Sequence, residues 1–168
     1  MALEIVQNDI TKMRVDAIVN AANSRLLRGG GVCGAIFSAA GAENLQRACD
    51  AIGFCDTGDA VITDGFRLPA RYVIHTVGPV WRGGMQNEEA MLRSCYTKSL
   101  ELAKSHGLRS VAFPLISSGI FGYPKEQAAF VAISAIEDFL LKNDMDVFLV
   151  LFDAETCRLV ESIMQKRG

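Results

Sequence analysis

Histidine, tryptophan and proline are scarce in this 168-residue sequence, at two, one and four copies. No apolar run approaches the roughly 20 residues that a membrane-spanning helix needs. The histidines, His75 and His106, stand far apart. The five cysteines (Cys33, Cys49, Cys55, Cys95 and Cys157) are odd in number, scattered and free of any Cys-x-x-Cys pair. Such spacing argues against a structural zinc site and against a disulfide framework, so no metal or other cofactor is expected. The opening residues, Met1-Ala2-Leu3-Glu4-Ile5-Val6, lack the basic segment and long apolar stretch of a secretory signal, and a reducing cytoplasm is the expected location. Basic and acidic residues nearly balance, 17 against 19, for a formal net charge of −2. That leaves no basic footprint for duplex nucleic acid, although a single nucleotide is compatible with it.

What is present is an ordinary globular composition, 50% hydrophobic and 21% charged. A chain of this size can bury a substantial core, and one domain over 1–168 is expected. Short, strongly apolar runs at Leu3 to Val6, Ala17 to Asn20, Asp59 to Thr63, Tyr72 to Val77, Val111 to Pro114 and Val147 to Phe152 read as strands, several too apolar to have a wet face. Helical spacing occupies Gly34 to Ala40, Ala42 to Ile52, Asn87 to His106, Lys125 to Leu141 and Ala154 to Lys166. Gly107 reads as the stop of the third helix and Asn87 as its N-cap. Strands interleaved with helices define a layered α/β domain.

Two stretches share one build: an apolar strand, small or amide residues, glycines, then a helix start. They are Val19-Asn20-Ala21-Ala22-Asn23 leading to Gly29-Gly30-Gly31-Val32-Cys33, and Phe113 through Gly122. Each offers bare backbone N–H groups near a helix N-terminus, where unpaired donors and the helix dipole favour an anion. In the second, consecutive N–H groups from Ser118, Gly119, Ile120, Phe121 and Gly122 are expected to converge on phosphate oxygens. Two such loops on one sheet edge suit a diphosphate. His75, alone in an apolar strand, reads as a satisfied core residue, and His106 as a cation matched to a helix C-terminus.

In order, Asn8-Asp9-Ile10-Thr11, Val19-Asn20-Ala21-Ala22-Asn23, Gly29-Gly30-Gly31-Val32, His75-Thr76-Val77-Gly78-Pro79 and Ile116-Ser117-Ser118-Gly119-Ile120-Phe121-Gly122 resemble the macro domain family. The likeness runs from about Glu4 to Phe152 and is strongest to its small stand-alone branch. It implies a three-layer α/β/α sandwich on a mixed sheet of about six strands. It also implies ADP-ribose as ligand, with O-acetyl-ADP-ribose or mono-ADP-ribosylated proteins as the partners acted upon. By that resemblance Asp9 accepts from the adenine amino group, a role favoured over its commoner use as a pure N-cap, and Ile10 packs on the ring. Asn23 meets the distal ribose and orients a hydroxyl or a water. Asn20 is a mainly structural amide grouped with the ligand-binding set, and Ala22 lies between the two amides. Gly30, Gly31 and Val32 let the backbone approach the pyrophosphate, Ser117 opens the second loop, and Phe121 leans over the ligand. Phe152 is either a packing surface for adenine or an ordinary core aromatic, while Asp153 reads as the cap of the final helix with Thr156.

The chain departs from the hydrolytic branch it most resembles at two slots, where Cys33 stands for that branch's usual Asp and Phe37 for its usual His. Residues four apart share a helix face, so both departures are expected to address one region. Losing a positioned acid or base typically forfeits about 10²- to 10⁴-fold in rate. The readings left open are a hydrolase of ADP-ribosyl esters using Asn23 and the ligand's own phosphate, with Cys33 as a variant catalytic slot, and a non-catalytic ADP-ribose reader. A third is a cradle for another nucleotide diphosphate or an RNA end. Cys33 itself reads as a reactive thiol at a helix start or as a small apolar wall residue.

Overall fold

The structure is a computed structural model that describes residues 2–167. Its strands, β1 (Ala2–Gln7), β2 (Ala17–Ala21), β3 (Ala60–Asp64), β4 (Tyr72–Thr76), β5 (Ser110–Phe113) and β6 (Asp146–Leu151), form one sheet in the order β1-β6-β5-β2-β4-β3. Only β3 runs antiparallel, against β4. The helices are α1 (Gly31–Ala40), α2 (Ala42–Ile52), α3 (Glu88–Ser105), α4 (Lys125–Leu140) and α5 (Ala154–Arg167). Every expected strand and helix is present within a few residues. The largest boundary difference is α1, which starts at Gly31 and so takes Val32 and Cys33 into its first turn.

Side chains alternate across a strand, and here both faces are covered. Ala17, Val19, Ile74, Val111, Phe113, Val147 and Leu149 point to one side, under Leu92, Tyr96 and Leu100 of α3, Ala132 and Ile136 of α4, and Val160 of α5. Ile18, Val73, Ala112 and Val150 point to the other, against Ile36, Phe37, Leu45 and Cys49 of α1 and α2. Burying each large aliphatic side chain is worth about 1.5–3 kcal/mol, which is why strands with no polar face are placed at the centre. The result is the three-layer α/β/α sandwich on a mixed sheet. At the end of α3, Gly107 adopts φ +72° after the cap residue His106, as glycine's missing Cβ allows.

The start of α3 differs from expectation. Asn87 occupies the cap position, but with φ +66° its side chain makes no capping bond. Glu88 instead reaches back to the Arg82, Gly84 and Gln86 N–H groups. A carboxylate accepts several donors at once, which a single amide oxygen in that backbone conformation cannot do.

Two features of topology open a crevice. Chain leaving β2 enters α1 and α2 on one face of the sheet, while chain leaving the adjacent β5 enters α4 on the other. Such a switch point leaves a gap beyond the carboxyl ends of the strands. In addition, β2 and β5 pair only through Ala17–Val111 and Ile18–Ala112. Beyond them β2 continues with β4 to Ala21–Thr76 and β5 with β6 to Phe113–Leu149, so the two central strands part toward their carboxyl ends.

Candidate functional site: an anion cleft at the parting of two strands

A cleft of about 460 Å³ occupies that gap. Its walls come from the β2–α1 segment (Ala21, Ala22, Asn23 and Gly29 to Cys33), from Pro114 to Phe121 after β5, and from Val150 to Asp153 at the end of β6. Gly78, Lys125 and Thr156 complete it. A larger hollow of about 680 Å³ lies elsewhere, between the beginning of α4 and the end of α5. Side chains of both signs line it (Glu89, Glu126, Lys166 and Arg167), and neither glycine loop reaches it. The smaller cleft, where the sheet edge and both loops converge, is therefore the candidate site.

The donors stand where they were expected, with one exception. The Gly34 N–H donates to Gly30 O, the first bond of α1, and no side chain caps that helix. Gly31, Val32 and Cys33 are thus left at its N-terminus with N–H groups that have no partner among the described residues. Gly34 itself must be glycine, because a Cβ there would lie 2.5 Å from Gly29 O, and that contact folds the loop onto the helix start. In the second loop the N–H groups of Ser118, Gly119, Ile120 and Phe121 have no partner among the described residues, whereas Gly122 N–H turns back to Gly119 O at 3.0 Å. The cradle therefore holds four donors rather than five, and Gly122 closes its turn with φ +75° instead of lining the cleft.

Ser117 opens this loop with φ +68°, a conformation that costs a non-glycine residue about 1–3 kcal/mol and recurs at ligand clamps. Its hydroxyl is buried without a hydrogen-bond partner among the described residues. The Ser117 carbonyl accepts from Tyr123 N–H, and any Cβ on Gly78 would collide with the Ser117 hydroxyl.

Asn23 and Cys33 meet at one end of the cleft. A methyl on Gly29 would lie 3.8 Å from Cys33 Sγ and 3.9 Å from Asn23 Nδ2, so both flank the same point. Asn23 braces its own loop: Nδ2 donates to Leu27 O at 2.7 Å, and Oδ1 accepts from Leu27 N–H at 3.0 Å. One N–H and one lone pair of the amide remain for a ligand. The Cys33 thiol is buried, donates to Leu27 O at 3.8 Å and accepts from Asn20 Nδ2 at 3.7 Å. No carboxylate stands at this end of the cleft.

Phe37 does not share the cleft with Cys33. One turn further along α1 it is fully buried, with its ring edge-on to His75 at 6.5 Å between centroids. The helix carries the common face of the two residues from the cleft wall down into the core. Asn20, too, lies beneath the site and outside its lining. It pairs with His75 in register, and its Nδ2 donates to His75 Nδ1 at 3.0 Å. The neutral tautomer that satisfies both neighbours carries its proton on Nε2, facing the Thr63 hydroxyl at 3.0 Å. Burial pushes the His75 pKa down to about 4, so the imidazole is uncharged near neutrality.

The opposite end of the cleft is formed where β6 runs into α5, with an aromatic ring beside polar groups. Phe152 is 78% exposed at its mouth, which rules out the core reading for that side chain. Asp153 begins α5 by accepting from Thr156 N–H at 3.0 Å and Thr156 Oγ1 at 2.9 Å, bonds that hold its carboxyl below the usual range. Asp9 and Ile10 are not among the lining residues but adjoin this end, since Asn8 N–H donates to Leu151 O. Asp9 caps the 3-10 turn at Ile10–Lys12 through Oδ1 alone, accepting from Thr11 N–H and Thr11 Oγ1. Its other oxygen has no partner among the described residues.

Sequence reasoning passed over Gly29, Gly78 and Lys125 as cleft residues. Lys125 carried a usable signal, because a lysine in the first turn of a helix opposes the dipole and calls for another reason to be there. Among the described residues it is the one cation of the lining, with Nζ 3.4 Å from Thr156 Oγ1.

The fold and this cleft define an α/β protein in which two loops of backbone donors border one space at a topological switch point. The Macro domain family model matches residues 19–132, and the chain belongs to that family. It is 46% identical to the O-acetyl-ADP-ribose deacetylase of Escherichia fergusonii, over 99% of this chain and 97% of that protein. Its structure is similar to the Oceanobacillus iheyensis macrodomain with ADP, at TM-score 0.94 and 44% identity, covering 98% of this chain and 90% of that one. It is also similar to the Trypanosoma brucei macrodomain in complex with ADP-ribose, at TM-score 0.87 and 40% identity, covering 96% and 68% of the two chains.

Proposed function

We propose that the cleft binds ADP-ribose and that the protein hydrolyses ADP-ribosyl esters, namely O-acetyl-ADP-ribose and ADP-ribose joined to Glu or Asp side chains. The observation that carries the reading is the pair of facing donor arrays, the α1 N-terminus and the Ser118–Phe121 loop, at the two sides of one cleft. Separate donors on two loops match two phosphates joined end to end. The Phe152 end supplies an exposed aromatic face for a base, with the free oxygen of Asp9 nearby to accept from an adenine amino group. Asn23 and Cys33 then fall at the distal ribose. No carboxylate is present there to take a proton, so the free N–H of Asn23 orients a water that attacks the ester carbonyl carbon. The acyl–oxygen bond breaks, and one proton of the water passes by way of a phosphate oxygen of the ligand to the released ribose oxygen. The acid leaves as carboxylate, with the other proton going to solvent. The relatives called O-acetyl-ADP-ribose deacetylase support this chemistry.

A second reading, a non-catalytic ADP-ribose reader, is favoured by one observation: the variant slot holds Cys33, whose thiol is engaged with Leu27 O and Asn20. Incubation with a Glu-linked ADP-ribosylated protein, followed by mass analysis of released ADP-ribose, separates the two. Release indicates the hydrolase, and retained modification despite tight binding indicates the reader.

A further inference from the structure

Glu88 is a carboxylate buried to 1% exposure at the first position of α3, with no ion-pair partner among the described residues. A loop is wrapped around it. Arg82 N–H and Gly84 N–H donate to Oε2 at 2.8 and 3.0 Å, and Gln86 N–H donates to Oε1 at 2.6 Å. Burial pushes the carboxyl upward, but these donors outweigh it and hold Glu88 below the usual carboxylate range. It is therefore ionised near neutrality, at a helix N-terminus that favours the charge.

The loop so fixed touches the phosphate cradle from behind. Trp81 N–H donates to Phe121 O at 2.8 Å, and the Trp81 ring packs on Tyr123 at 4.7 Å between centroids. The peptide unit between Phe121 and Gly122 is consequently tied at both ends, its carbonyl to Trp81 and its N–H to Gly119 O. Tyr123 N–H in turn holds Ser117 O, the other end of the same loop. Neither Glu88 nor Trp81 lines the cleft.

We propose that Glu88 is a positioning residue for the anion cradle, fixing the 81–86 loop so that Trp81 and Tyr123 set the curvature of Ser117 to Gly122. The functional half of this inference rests on the ADP-ribose reading of the cleft, and the structural half does not. Glu88→Gln keeps the shape of the side chain but replaces one oxygen by an NH2, which sets donor against donor in the loop.

In the ligand-free Glu88→Gln protein, amide exchange at Trp81 and Gly122 should quicken by about ten-fold or more while the Asn8 amide, bonded to Leu151 O on the sheet, stays at the wild-type rate. Trp81 is the sole tryptophan, so its emission should shift to longer wavelength as the loop loosens. ADP-ribose affinity should fall by about ten-fold, the scale on which residues remote from a ligand modulate its binding. Gly84→Ala attacks the same loop without touching the buried charge. Gly84 has φ +88°, and a Cβ there would lie 2.9 Å from the Trp81 ring. It should give the same pattern, and it decides the matter if Glu88→Gln does not fold. Unchanged exchange at Trp81 and Gly122 in the folded variants overturns the proposal. So does quickened exchange with ADP-ribose affinity within about two-fold of wild type. Failure of the wild type to bind ADP-ribose would instead sink the ligand assignment, leaving the exchange rates to decide whether Glu88 holds the cradle.

Discussion

Gly119→Glu tests the diphosphate site with little cost to the fold. Gly119 is exposed among the four unpaired donors of the second loop, and no atom lies within 4 Å of where its Cβ would be built. Its φ is outside the left-handed region, so a side chain adds no backbone strain. Stability should therefore change by no more than about 0.5 kcal/mol, as for an ordinary surface substitution. Binding should respond quite differently. Two unit charges at about 4 Å repel by roughly 4 kcal/mol at an effective dielectric near 20, and solvent and salt at an open cleft reduce that to about 2 kcal/mol. Two phosphates then give about 4 kcal/mol, a loss of about 10³-fold in affinity, before any steric exclusion. Gly119→Ala, which fills space but brings no charge, should weaken binding only slightly. Calorimetric titration with ADP-ribose beside a thermal melt reads both quantities. Wild-type affinity in a folded Gly119→Glu protein would show that the diphosphate does not lie in this loop.

Three further outcomes are expected. The unfolded chain protonates its histidines near pH 6.5, whereas buried His75 resists until about pH 4. Between those values the unfolded state binds more protons, so folding stability falls as pH drops, by about 2 kcal/mol from pH 7.5 to 5. Urea titrations should show this loss in the wild type and its absence in His75→Gln, and equal losses in both would refute the assignment. Cys33→Ala should leave ADP-ribose affinity and any ester turnover nearly intact, while Cys33→Asp should raise turnover by placing a carboxylate beside Asn23. Inactivation by an alkylating reagent that labels Cys33, with turnover abolished in Cys33→Ala, would make the thiol the working group. ADP-ribose should bind far better than GDP-ribose, and Asp9→Ala should erase much of the difference. Equal affinity of the wild type for the two bases would remove the adenine assignment.

The one-dimensional pattern settled which segments become strands and helices and where the small-residue loops fall. Apolar runs such as Ala17 to Val19, hydrophobic at every position, can be stable only with both faces covered, so they already implied buried strands between helical layers. The glycines before α1 and after β5 likewise announced bare backbone donors, because a loop of small residues at a strand-to-helix junction has few side chains to occupy its N–H groups. Which donors remain free was decided by folding. Gly122 N–H closing a turn on Gly119 O, and three loop amides converging on the Glu88 carboxylate, are contacts between near neighbours in the chain, yet composition does not say which residue of a small-residue loop takes the turn or which side chain the amides find. Cys33 and Phe37 share a helix face, yet a helix descending from surface to core puts one on the cleft wall and the other against His75. The cleft itself exists because β2 and β5 separate after two paired residues and send their helices to opposite faces. Strand order is set by long-range packing, and with it the meeting of Asn23, Phe121 and Phe152 around one space.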